Sequence, residues 1–459
     1  MNGAPDTPVR VDLHMRSFSA ELALPPGTDV LRASQPGTVP DVRAAVTAAL
    51  AAPIASVPLA ELCRSTIIKT APRHPSVVVV VSDSTRPVPY KGEGGIMRPL
   101  LDALLTAGVK PGWITLLVAT GTHRVLSDDE IWALFDDAVR QSGVRVHCHD
   151  ATDPGLLVRV GRTSTGAGVL MNRRYVDADL RILTGLVEPH LMAGASGGRK
   201  SICPGLLNVQ GVQDFHSPRV LADERATDMV LEGNPCHEIA LSIARMVPGD
   251  FIVNVTMDRD GGVAGVFAGG MEQAHLAAFA HLRTFVEIPI DRLYDVVVAH
   301  SSHVGVNHYQ AEKAAAVGAK AVRPGGYLVI VADTVDPDPV GTASYRRLIG
   351  LLTELGPEEF LRTITSDDWE FAHDQWGAQV WAQLLAKVPK DHIFYFSPQT
   401  EAADYPILLC EYPPHLGDLA QGCTMGESVA AFVTAAVRLA VAESEAGTGR
   451  PANPISPAF

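Results

Sequence analysis

The stretch "VVVVVSDSTRPVPY" (residues 77–90) decides the fold class. Five consecutive valines give a β-branched run with no alternation between apolar and polar positions. Such a run marks a strand buried on both faces, as strands of parallel sheets are. The chain leaves it through a polar, Pro-punctuated loop that carries Asp83 and Arg86, and a helical pattern follows near residues 95–107. The succession then repeats. "WITLLVA" (113–119) runs into "TGTHR", Ser127 stands as N-cap of a helix expected over 128–140, and "VRVHCHD" (144–150) and "DLRILTG" (179–185) read as further strands. Strands alternating with helices predict a parallel sheet with crossover helices.

After "FIVNVTM" (251–257) and an Ala-rich helix over 271–282 the pattern restarts. "LYDVVVAH" (293–300), a helix on "YQAEKAAAVGA", "GGYLVIVA" (325–332) and "DHIFYFS" (391–397) make a second set. The expected architecture is α/β: two α/β domains with largely parallel sheets, residues 1–285 and 286–459, and an active-site cleft between them. No internal repeat is visible. The tail "GTGRPANPISPAF" is Gly/Pro-rich and reads as disordered or as an arm.

Composition narrows the function classes. Hydrophobic residues make up 47% and charged residues 19%, below the roughly 25% usual for soluble domains, which fits buried parallel strands. The net charge is -14 and the basic residues are not clustered, which argues against a nucleic-acid partner. An acidic chain can still bind acids in a locally basic site. The six cysteines form no C-x-x-C pair, so a zinc knuckle or redox dithiol is disfavoured, and reduced thiols in a cytoplasmic protein are expected. The N-terminus has no apolar signal-peptide core. "ESVAAFVTAAVRLAVAESEAG" is apolar but carries Arg438 and bounding acids, so it reads as a core or interface helix and no membrane partner is expected.

In an open α/β sheet, ligands bind beyond the carboxyl ends of the strands, and the chemistry-bearing residues gather there. Asp83 and Arg86 follow the first strand. Alone they read as a turn cap and a surface residue, but an arginine at that edge can clamp a carboxylate or phosphate. His123 and His190 end two other strands. Each by itself is an ordinary surface or structural histidine; together they suit proton transfer on either side of one substrate. "GASGGRK" matches neither G-x-x-x-x-G-K-[ST], because Arg199 stands where a glycine is needed, nor G-x-G-x-x-G. Small residues followed by Arg199 and Lys200 still allow close approach of a phosphorylated ligand, and Lys200 has a second reading as a covalent anchor. His216 has no metal-ligand spacing around it. Gln310 and Lys313 share one helix face, either solvated or turned toward an acid.

The segments "SDSTRPVP", "ATGTHR", "GLVEPHLMAGASGGRKSICPG", "HS" (216–217), "EGNPCHEIALSIA", "HYQAEK" and "DQWGAQVWAQLLAK" occur in an order that resembles the lactate racemase family using the nickel-pincer nucleotide, over roughly residues 80–400. The resemblance implies a racemase or epimerase that inverts C2 of a 2-hydroxy acid by reversible hydride transfer to the cofactor ring. It implies Lys200 as the covalent tether, His216 as the protein's nickel ligand, and His123 and His190 as acid and base. Cofactor-side contacts are expected from Asp83, Ser196, Gly197, Gly198 and Arg199, the glycines making room for the nucleotide. Substrate-side contacts are expected from Arg86, Tyr309, Gln310, Lys313 and Trp376. Cofactor-making enzymes would act in trans.

One segment departs from the family pattern. "HSSHVGVNHYQ" puts Ser301, Ser302, His303 and His308 where the family carries glycines and a Pro-x-Asp. They read either as contacts to a larger, more polar acid than lactate or as loop structure. The competing functions are an NAD-dependent 2-hydroxy acid dehydrogenase, disfavoured by the missing glycine motif, and a non-catalytic cofactor binder, disfavoured by the full histidine and lysine set.

Overall fold

The computed structural model describes residues 7–163, 166–302, 304–411, 423–452 and 454–458; His303 lies outside them. The chain divides into two compact units, residues 34–287 and residues 1–33 with 288–459. The chain passes between the units twice, at 33/34 and at 287/288. Residues 7–33 belong to the same unit as residues 288–459, although the 34–287 unit follows them in sequence.

In the 34–287 unit, six strands form one sheet. In chain order they are Val77–Ser82, Ile114–Ala119, Arg145–Cys148, Leu180–Leu186, Phe251–Met257 and Val263–Gly269. Across the sheet, Val77–Ser82 lies beside both Ile114–Ala119 and Leu180–Leu186, so the strand order reverses next to the valine run. Each pairing is parallel except that of Val263–Gly269 with Phe251–Met257. All five valines are buried, as their β-branched sequence requires with layers on both faces.

The helix expected over 128–140 breaks in two. Ser127 caps Asp128–Trp132 in a capping box with Glu130, and the chain resumes as Asp137–Gln141. Asp136, between them, accepts from the backbone N–H of Gly92 at 3.0 Å, and Lys91 Nζ donates to the Ala133 carbonyl at 2.9 Å. The loop after Pro89 thus supplies a donor to the Ala133 carbonyl, which a continuous helix would have bonded itself.

In the other unit a five-stranded parallel sheet runs Ile393–Phe396, Val322–Val331, Tyr294–His300, Pro454–Ala458, Asp29–Arg32. Residues 454–458 of the tail are therefore a paired strand and not a free arm. Its backbone pairs on both sides, Pro454 with Val296 and Ile455 with Asp29, so it joins the N-terminal strand to the sheet. Glycine and proline content misleads here because ladder pairing is a backbone property.

Met425–Thr448 is a 24-residue helix with a Thr424–Glu427 capping box. It is long and apolar enough to cross a membrane, by length and composition. In the fold, Val429, Phe432, Val433, Ala436, Val437 and Ala440 are buried, and Phe432 stacks on Phe396 at 4.9 Å, while Arg438 stays exposed. This is the packing of a core helix, as its bounding charges predict.

Candidate functional site

The carboxyl ends of Val77–Ser82, Ile114–Ala119 and Leu180–Leu186 open on a cleft of about 790 Å³, part of it open to solvent. The cleft sits where the strand order reverses, which is where open α/β sheets leave a crevice between diverging loops. Its lining includes Asp83, Arg86, His123, His190, Ser196, Gly197, Lys200 and His216, all from the 34–287 unit.

The loop after the valine run and the "GTHR" turn are joined by one carboxylate. Asp83 is buried, and its Oδ1 accepts from the backbone N–H of Thr85 at 3.1 Å and from Thr85 Oγ1 at 2.6 Å. Its Oδ2 lies 2.7 Å from His123 Nδ1. Burial pushes the Asp83 carboxyl up, but the bonds from His123 and Thr85 together outweigh it and hold the group below the ordinary value. Asp83 is therefore charged and fixes the ring of His123, whose body is exposed to the cleft. A contact from Asp83 to a cofactor is not needed to explain it; its partner is the histidine. Arg86 pairs with Glu188 at 2.9 Å, so an incoming substrate carboxylate would compete with a residue of the "EPH" segment itself.

His190 is carried on a tight hairpin in which Pro189–His190 pairs with Gly194–Ala195. Its Nδ1 accepts from the backbone N–H groups of Met192 at 3.3 Å and Ala193 at 3.1 Å. Burial first, and then the nearby Lys200 and Arg86, push its pKa well below the ordinary histidine value, so the ring is neutral. The hairpin is pinned by Asn234. Its Nδ2 donates to the Met192 and Val230 carbonyls at 2.9 Å, and its Oδ1 caps the Pro235–Ala244 helix through the N–H groups of Cys236 and His237. "EGNPC" is thus the support of His190, a role that a single sequence does not reveal.

Lys200 follows on the one-turn Gly198–Ser201 helix, with Nζ 5.9 Å from the ring centre of Phe215. Burial first, and then the guanidiniums of Arg86 and Arg199, drive its amine well below the ordinary lysine value. That favours the neutral, nucleophilic form. His216 ends the Val209–Phe215 helix, with its Nδ1 2.9 Å from the Val212 carbonyl. A carbonyl only accepts, so Nδ1 bears the proton and Nε2 is the ring's electron-pair donor, the tautomer a metal ligand needs. Burial first, and then Lys200, push His216 down to about 3. Cys203 is fully buried and its thiol is pushed up to about 12, so it is a packed thiol.

Four of the expected cofactor contacts have packing or hydrogen-bond partners of their own in the structure. Arg199 is not among the lining residues of the cleft. It is buried and donates to the Ala193 and Ala195 carbonyls at 2.7 and 2.9 Å, holding the loop from within. Gly198 is also off the lining: a Cβ there would meet the His275 ring at 2.7 Å, and its φ is +51°. A Cβ on Gly197 would meet Val187 at 2.7 Å, so this glycine too is set by packing, although it faces the cleft. Ser196 lines the cleft while its hydroxyl donates to the Leu186 carbonyl at 2.8 Å.

A lactate racemase N-terminal domain model matches residues 14–228. The chain is 31% identical to a lactate racemase of Lactiplantibacillus plantarum over 351 residues, 75% of this chain and 77% of that protein. The chain belongs to the lactate racemase family. A second lactate racemase, from Thermoanaerobacterium thermosaccharolyticum, is 31% identical over 313 residues, 68% of this chain and 71% of that one. The fold matches the lactate racemase apoprotein structure from that organism with a TM-score of 0.80 at 24% identity, over 98% of this chain and 97% of the other. Family membership makes the chain an isomerase of the racemase type.

The remaining expected residues of this racemase lie in the other unit. Tyr309, Gln310 and Lys313 stand on the His308–Ala321 helix, capped by Asn307. Trp376, on Gln375–Leu385, donates its indole N–H to the Tyr309 hydroxyl. Gly377 fits against Tyr309 and Glu312, where a Cβ would come within 2.6 and 2.5 Å. His308 is buried: its Nδ1 lies 2.9 Å from the Tyr345 hydroxyl and its ring stacks on Trp381 at 4.6 Å. Ser301 is buried as well. Of the departing segment, these two are buried among the described residues.

Sequence reading missed Glu188, Thr85, Asn234 and Asn254. The last accepts from the Gly198 N–H at 3.0 Å. A polar residue inside the apolar strand "FIVNVTM" was the available signal for it, since a buried amide must serve a partner.

Proposed function

We propose that this racemase inverts C2 of a 2-hydroxy acid, lactate or a larger, more polar acid, using a nickel-pincer nucleotide tethered to Lys200. The observation that carries the reading is the convergence of two histidines, a buried lysine amine whose pKa is driven down by burial, a third histidine in the metal-ligating tautomer and an arginine on one cleft. Among the described residues, no group of three or more His, Cys, Asp or Glu could hold a metal by itself, so the donor set suits a metal that arrives with most of its ligands. Lys200 would hold the nucleotide and His216 the nickel. When bound, the cofactor supplies the hydride-accepting ring.

The protein's own part is positioning and proton control. Arg86 binds the substrate carboxylate after releasing Glu188. His123 and His190 act on the hydroxyl oxygen, and the Asp83 carboxylate stabilises His123 when it takes the proton. Tyr309, Gln310, Lys313 and Trp376 are proposed as substrate-side groups, whose removal raises KM more than it lowers kcat. A cytoplasmic location agrees with the free thiols.

The test is co-production with cofactor-making enzymes, followed by intact mass, nickel analysis and a panel of 2-hydroxy acids deuterated at C2. A Lys200 adduct with stoichiometric nickel, and inversion that keeps the deuterium on carbon, are expected. Unmodified mass with keto acid formed on addition of NAD would establish the dehydrogenase instead. An adduct without inversion of any acid would leave only a cofactor binder.

A further inference from the structure

The two cleft histidines are held as opposite tautomers. At His190 both neighbours of Nδ1 are backbone N–H groups, Ala193 at 3.1 Å and Met192 at 3.3 Å. Donors require an acceptor, so Nδ1 carries the lone pair and the ring proton sits on Nε2. A proton on Nδ1 would set N–H against N–H. The amides are not at liberty to turn, because the 189–195 hairpin is paired and Asn234 holds the Met192 carbonyl. Burial of the ring and the nearby guanidiniums of Arg86 and Arg199 oppose a second proton.

At His123 the arrangement is reversed. Asp83 already accepts two bonds from Thr85 on Oδ1, so Oδ2 is an acceptor from His123 Nδ1. The His123 proton is on Nδ1 and the lone pair is on Nε2.

We infer that the pair is not symmetric: His123 alone takes and returns the hydroxyl proton, while His190 keeps its Nε2 proton and donates a hydrogen bond to the same oxygen as a neutral electrophile. In the forward step the substrate O–H bond breaks and an N–H bond forms on His123 Nε2, leaving an imidazolium against Asp83. In the return step that N–H breaks and the O–H reforms. His190 ends each step with the proton it began with, so no imidazolate is needed. A neutral imidazole donor polarises a developing carbonyl without becoming an acid the product must reprotonate. The inference rests on the racemase reading for what the oxygen is, and on hydrogen bonds alone for the tautomers.

Two measurements test it. The cofactor-free protein, labelled with 15N-histidine, is examined by NMR at neutral pH, with ring signals assigned from the His123→Gln and His190→Gln variants. His190 is expected as the Nε2–H tautomer and His123 as the Nδ1–H tautomer; a His190 ring protonated on Nδ1 overturns the inference whatever the enzyme's substrate. In the loaded enzyme, His190→Gln keeps an N–H donor and should retain inversion to within about tenfold. His190→Ala, which removes the donor, should lose roughly 10²–10³ in kcat, and His123→Gln should be inactive. Equal loss in His190→Gln and His123→Gln would return His190 to a proton carrier. Absence of inversion in the loaded wild type would instead sink the functional reading and leave the tautomers standing.

Discussion

Replacing Asp83 by Asn separates what the carboxylate does for catalysis from what it does for folding. The asparagine keeps Oδ1 for the two Thr85 donors, so the loop after the valine run retains its local bonds. What changes is the atom 2.7 Å from His123 Nδ1, where an acceptor oxygen becomes an amide donor. His123 must then accept on Nδ1, which moves its proton to Nε2 and removes the base from the cleft. The lost charge-assisted bond alone is worth about 1.5–3 kcal/mol. At about 1.4 kcal/mol per factor of ten, that is roughly 10- to 150-fold in kcat/KM. The tautomer inversion acts on top of this, so a fall of at least about 100-fold is expected, with Tm changed by only a few degrees. The assay is inversion of an enantiopure 2-hydroxy acid by loaded enzyme, read by chiral chromatography, alongside thermal unfolding. A variant within about threefold of wild type in kcat/KM would refute the argument that Asp83 sets the base. A collapse in Tm would show that the carboxylate is chiefly structural.

Other expectations follow from the same geometry. Arg199→Met should destabilise the protein by about 2–4 kcal/mol in denaturant unfolding, because the buried Ala195 carbonyl loses its guanidinium donor and the Ala193 carbonyl keeps only the Ala195 N–H. A selective loss of cofactor attachment with unchanged stability would contradict the placement of Arg199 behind the loop. Asn234→Asp keeps the helix cap but loses the Nδ2 donor to the Met192 and Val230 carbonyls, and should cost about 2 kcal/mol or more while shifting the His190 NMR signals. Acid should destabilise the fold from about pH 6.5 downward. His216, His275 and His308 are pushed down to about 3, and His237 to about 4, in each case chiefly by burial. Below about pH 6.5 the unfolded chain binds protons that the folded one refuses, so stability is complete above that pH and drains away toward pH 4. Melting curves at stepwise pH values measure it, and a Tm unchanged between pH 7 and 4.5 would speak against it.

The sequence alone determined the class of fold and the address of the site. Five valines in a row can only be a doubly covered strand. The polar loops that follow such strands must gather at one edge, so His123, His190, Asp83 and Arg86 were legible as neighbours before any coordinates. Family motifs supplied Lys200 and His216. The sequence could not say which way each side chain turns. Arg199 and Lys200 are adjacent, yet one runs into the loop's own carbonyls and the other stays at the cleft. His308 read either as a substrate contact or as loop structure, and its ring is stacked on Trp381. The tail looked like a loose end, yet it is a central strand whose partners lie near residues 29 and 296. Nor could it give the tautomers, because those depend on whether Nδ1 meets a carboxylate, a carbonyl or a pair of amides. Local pattern records burial and periodicity; hydrogen-bond direction and long-range strand pairing are settled only when distant segments meet, as Asp83 meets His123 and Asn234 meets the hairpin of His190.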